Sequence, residues 1–108
     1  VTRDQALTYL REYRRFYCHT FNESSMLWHM NSDYKSLCYR RYLVSMFIHK
    51  INNSKVDPIR IVDQFISDLD YILGESDDDH FITHRFAAIL EYEAYCILRY
   101  LKQKEKME

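Results

Sequence analysis

At 108 residues the chain is long enough for one hydrophobic core and too short for two, so a single domain spanning 1–108 is expected. One Gly and one Pro leave almost nothing from which to build hairpin turns, which argues against an all-β fold, and 47% hydrophobic content argues against disorder. The net charge is only −1, yet residues 1–55 hold nine Lys/Arg against four Asp/Glu (+5), while residues 56–108 hold six against twelve (−6). That asymmetry either helps the two halves pack together or offers a basic face to an acidic partner.

Thr2 and Gln5 have capping-box spacing. Ala6, Tyr9, Leu10, Tyr13, Phe16, Tyr17 and Phe21 then recur at three- and four-residue steps, predicting a first helix near residues 3–20. The connection from Asn22 to Asn31 is apolar where loops are normally polar. Met26, Leu27, Trp28 and Met30 form either a short extra helix capping one end of the fold or an adaptable contact for a partner.

Ser32 and Asp33 open a second helix. Its apolar positions Leu37, Leu43, Val44, Phe47, Ile48 and Ile51, joined by Tyr39 and Met46, cover more than half its circumference and predict a central place in the core. Asn52, Asn53 and Ser54 break the pattern, and Asp57-Pro58 restarts it as an N-cap followed by Pro at the first helical position. Ile59, Ile61, Val62, Phe65, Ile66, Leu69, Ile72 and Leu73 make the stripe of a third helix, which Gly74 is expected to end. Ser76 and Asp77 to Asp79 open a fourth, with Phe86, Ala87, Leu90, Ala94, Ile97, Leu98 and Leu101 as its core face and a fraying tail from Lys102. The expected fold is all-α, at least about 65% helix, arranged as an antiparallel four-helix bundle with a short extra helix or apolar connection between helices one and two.

Two charges interrupt apolar stripes: Arg40 among Leu43, Phe47 and Ile51, and Glu93 among Ile82, Phe86 and Tyr100. Either Arg40 snorkels and Glu93 faces water, or the two are coupled within one chain or across a dimer, because an isolated buried charge is very costly. Tyr, Trp, Met and Arg favour interface cores. A partner surface is therefore expected at Met26, Trp28, Met30, Tyr39, Arg40, Tyr42 and Glu93, serving a non-catalytic interaction or regulatory module that forms a homodimer. A nucleic-acid alternative rests on Arg11, Arg14, Arg15 and Arg41, interleaved with tyrosines that stack on bases.

Arg14 and His19 stand at R-x4-H spacing and in this resemble the HEPN family of α-helical ribonucleases, in which Arg and His act together at the scissile phosphate. The resemblance covers six residues, and Arg15 follows Arg14 where that family often has a small polar residue; it implies ribonuclease chemistry at Arg14 and His19. His80, His84 and Glu91 share one helical stripe but lack the multi-helix ligand pattern of bundle metalloproteins, so neither metal nor cofactor is expected. Cys18, Cys38 and Cys96 are odd in number and far apart, and no apolar run approaches the ~20 residues of a membrane span. Reduced thiols and a soluble, cytoplasmic chain are expected.

Overall fold

The computed structural model describes residues 1–18, 32–75 and 81–107, with only the helical backbone at 32–37, 75 and 81–85. These residues form four helices, α1 (Arg3–Tyr17), α2 (Ser32–Asn52), α3 (Pro58–Glu75) and α4 (Phe81–Lys106), and no strand among them. At 15, 21, 18 and 26 residues, the helices exceed the expected share of the chain.

Local chemistry sets the boundaries that the sequence marked. The Thr2 hydroxyl accepts the Gln5 N–H at 3.2 Å while the Gln5 side chain accepts the Thr2 N–H at 2.9 Å, so the capping box satisfies donors that α1 leaves open. Arg14 and Arg15 lie in its last turn, where the helix dipole favours cations. At the end of α2 the Asn53 side chain donates to the His49 carbonyl at 2.9 Å. The Asp57 carboxylate then accepts the Ile59 N–H at 3.2 Å, making Asp57 the N-cap and Pro58 the first residue of α3.

One buried cluster joins all four helices through Ala6, Leu7, Leu10 and Tyr13 of α1, Leu43, Val44, Phe47 and Ile51 of α2, Val62 and Ile66 of α3, and Ala94, Ile97, Leu98 and Leu101 of α4. Helices α2 and α4 each pack against the other three, and α1 and α3 flank them. The central place expected for α2 is therefore observed. Contacts step backward along α4 as they step forward along α1, Tyr9 lying by Lys104 and Tyr13 by Tyr100, so these two helices run in opposite directions. Phe47 and Phe65 meet edge to face, 5.3 Å between centroids, across α2 and α3. Each such buried side chain contributes roughly 1.5–3 kcal/mol.

Several expectations are corrected. Helix α1 stops at Tyr17, three residues early, with the Cys18 N–H closing on the Arg14 carbonyl. Phe16 is 61% exposed, whereas Leu7 is buried: Ala6, Leu7, Leu10 and Tyr13 define the inward face, and Phe16 lies off it under the Arg15 guanidinium. Ile72, also placed on a core stripe, is half-exposed because α3 packs chiefly on α4 and only lightly on α2. Gly74 lies within α3 rather than beyond its end. The Lys-rich tail does not fray before Lys106, because Leu101 is buried and Lys104 reaches Glu12 at 3.8 Å while lying over the Tyr9 and Tyr100 rings. Phe21, the apolar connection and the Ser76 to Asp79 start lie outside the described residues.

Candidate functional site

Arg40 sits one turn before Val44 and two before Phe47 on the inward side of α2, and Glu93 adjoins Ala94 on the inward side of α4, so both side chains enter the core. They meet as a fork. Arg40 Nε donates to Glu93 Oε2 at 2.8 Å and Nη2 to Oε1 at 3.4 Å, while Nη1 donates to the Tyr17 carbonyl at 3.1 Å. Glu93 is fully buried and the Arg40 side chain is 23% exposed. Burial lowers the pKa of the guanidinium, but the hydrogen bond and charge of Glu93 outweigh it and the net direction is upward. One cation thus joins α2 to α4 and occupies an open carbonyl at the C-terminal end of α1.

Around this pair lies a cleft of about 290 Å³ with three tyrosine rings in its wall. Tyr13 stands 4.8 Å from Tyr17 and 5.1 Å from Tyr100, centroid to centroid, and Tyr17 and Tyr100 are 6.2 Å apart. Burial raises the Tyr13 hydroxyl pKa, against the opposing pull of Arg40. Tyr100 donates to Glu12 Oε2 at 3.2 Å, and burial, with the charge and hydrogen bond of Glu12, pushes its pKa up to about 12. Arg99, Cys96 and Gln103 complete the lining. Cys18 is buried nearby, and burial raises the pKa of its thiol against the opposing pull of Arg40.

A second concavity, about 350 Å³, runs between α2 and α4 and is lined by Cys38, Tyr39, Tyr42 and Leu90. It is apolar in character: the Tyr39 ring leans on Phe86 at 6.0 Å, and Tyr42 at its edge is 60% exposed. On the other side of α4, Glu91 faces Asp70 of α3. Glu91 Oε2 is buried without a donor, and the Asp70 carboxylate accepts a hydrogen bond from Glu91 only when Glu91 is protonated. Burial, then that bond and the negative charge, raise the Glu91 pKa.

Of the residues singled out from the sequence, Arg40 and Glu93 are brought together within one chain. Snorkelling of Arg40 with a water-facing Glu93 is overturned, because Glu93 has no surface left to offer water or a partner. Tyr39 and Tyr42 share the α2–α4 groove. Arg11, Arg14, Arg15 and Arg41 are exposed on α1 and α2, and the charges of Arg14 and Arg41 are felt at Cys18. Met26, Trp28, Met30, His19 and His80 lie outside the described residues, and His84 is described by its backbone alone. Among the described residues no cluster of three or more His, Cys, Asp or Glu is arranged to hold a metal ion. Sequence reasoning missed Cys96, Arg99 and Gln103. Cys96, Tyr100 and Gln103 follow Glu93 at three- and four-residue steps, and that spacing was the available signal.

No family model matches the chain, and neither a curated protein nor a solved structure matches it.

Proposed function

We propose that the chain is a non-catalytic interaction module, an antiparallel four-helix bundle that associates with a second copy of itself through the aromatic α2–α4 face. The reading is carried by the apolar groove of Cys38, Tyr39, Tyr42 and Leu90, whose edge residue Tyr42 is left 60% exposed. Tyr offers a large apolar ring with a polar tip and is enriched at interface cores, so a groove edged by it is suited to a partner that covers the ring. The bundle arrangement is supported by α1 and α4 running in opposite directions and by α2 and α4 touching every other helix.

A second copy is the favoured occupant because an isologous contact needs only this one surface. No described helix is long and apolar enough to cross a membrane. A cytoplasmic setting belongs to the same proposal, since Cys18, Cys38 and Cys96 are free thiols. Light scattering at tens of micromolar should return a two-chain mass, and Tyr42→Asp should return one chain with an unchanged melting temperature. A one-chain mass for the native protein at that concentration overturns the self-association reading.

A further inference from the structure

The tyrosine-walled cleft has a chemistry that self-association does not use. The acidic groups beside it are already engaged, Glu93 by Arg40 and Glu12 by the Tyr100 hydroxyl and Lys104. Its cations are not all matched. Arg99 lines the cleft, is exposed, and has no ion pair among the described residues. Arg40 directs one N–H from each of its three nitrogens at Glu93 and Tyr17, so two of its five N–H groups are not spent on these partners. Arg40 and Arg99 thus bring two guanidinium groups to a cleft whose lining includes no carboxylate, although the whole chain carries −1.

An anion is thus favoured, and the walls say what else it carries. Tyr17 is half-exposed and backed by Tyr13 and Tyr100, which hold its ring in a fixed orientation against which a planar group can stack. Gln103 supplies an amide with both donor and acceptor, which matches the edge of a base and has no use for a plain phenyl ring. The volume of about 290 Å³ is at the small end for ligand sites and suits a single nucleotide, not a dinucleotide. We propose that this cleft binds one nucleoside monophosphate, its base stacked on Tyr17 and edged by Gln103, its phosphate held by Arg99 and the remaining N–H groups of Arg40. Guanidinium forks are the side chains best shaped for phosphate oxygens, and Arg40 is oriented in advance by Glu93.

The test is a titration of the full chain with AMP and with CMP at low salt, followed by backbone amide shifts in NMR spectra. Shifts should centre on Tyr17, Tyr100 and Gln103. Ribose 5-phosphate, adenosine and phosphotyrosine, which lack the base, the phosphate and the base edge respectively, should each bind at least about tenfold more weakly. Arg99→Glu and Tyr17→Leu should each weaken AMP binding about tenfold with little change in melting temperature, whereas Arg60→Glu on α3 should leave it unaltered. Equal binding of ribose 5-phosphate, equal binding of phosphotyrosine, or Arg99→Glu without effect each overturns the proposal. A short single-stranded oligonucleotide that binds far more tightly than AMP also overturns it, in favour of a strand-binding surface.

Discussion

Arg40 and Glu93, 53 residues apart in the chain, form a 2.8 Å charge-assisted hydrogen bond in which the carboxylate is fully buried and the guanidinium is not. The unequal burial predicts unequal mutants. Arg40→Ala strands a buried carboxylate and also frees the Tyr17 carbonyl, so it should cost about 3–5 kcal/mol. Glu93→Ala leaves a guanidinium that keeps its bond to Tyr17 and part of its solvent contact, and should cost less, about 1–3 kcal/mol. Urea denaturation of both singles and the double should give a coupling of about 0.5–3 kcal/mol; additive costs would mean that the pair does not act as a pair.

That relationship was legible because each residue breaks an apolar stripe, and a charge in a core must find its opposite. Asp57-Pro58 and Thr2 with Gln5 were legible for a different reason: a cap is local chemistry, complete within four residues. What could not be read depends on how helices dock. Arg99 and Gln103 are ordinary polar positions on an isolated α4 and become a cleft only when the Tyr13–Tyr17 side of α1 is laid beside them. Asp70 and Glu91 each look like solvent-facing acids, and only the close packing of α3 on α4 sets them face to face. Phe16 stands at helical spacing from Tyr9 and Tyr13, yet the inward face of α1 is centred on Ala6, Leu7, Leu10 and Tyr13, and only the docking of α1 on its neighbours decides which edge of the apolar stripe is covered.

The tyrosine cluster should be visible in an alkaline titration. Among the described residues, Tyr13 and Tyr100 are held protonated well above the ordinary range, chiefly by burial, and Tyr95 is raised as well, chiefly by the charge of Asp70. A phenol whose folded pKa exceeds its unfolded value binds its proton more tightly in the native state. Its contribution to stability is therefore complete below about pH 10 and is lost as pH rises beyond it, as the unfolded chain releases protons that the folded chain retains. Phenolate absorbance should show Tyr100 ionising near pH 12, and Tyr13 only on unfolding. In Tyr100→Phe the step near pH 12 should disappear; a titration indistinguishable from that of the native chain would contradict the assignment.

The Asp70 and Glu91 pair should make the α3–α4 seam weaker as pH rises. A carboxyl with a raised folded pKa favours the native state while protonated, and that advantage is lost as pH climbs from the ordinary Glu value through the raised one. Glu91→Gln keeps an N–H for Asp70 and removes the repulsion. It should raise stability near neutral pH by at most about 1 kcal/mol, because partly exposed charges are screened. The gain should vanish in acid, where Glu91 carries its own proton, and Asp70→Asn should give a similar gain that does not add to the first. A lower melting temperature for Glu91→Gln at neutral pH would show that the carboxylate is stabilising instead.

Gly74 separates two local structures by the sign of a single substitution. As a residue beyond the helix end in the left-handed region, it would be needed for its missing Cβ, and Ala would cost about 1 kcal/mol. In the structure it is the penultimate residue of α3, outside the left-handed region, and a Cβ built on it meets nothing within 4 Å. Glycine inside a helix costs roughly 0.5–1 kcal/mol relative to alanine, because the unfolded chain has more conformations to lose. A position this close to the helix end realises only part of that difference. Gly74→Ala should therefore stabilise the fold by a few tenths to about 1 kcal/mol. Thermal and urea melts read the sign directly, and a loss of stability in Gly74→Ala would return Gly74 to a capping role and shorten α3 by its last turn.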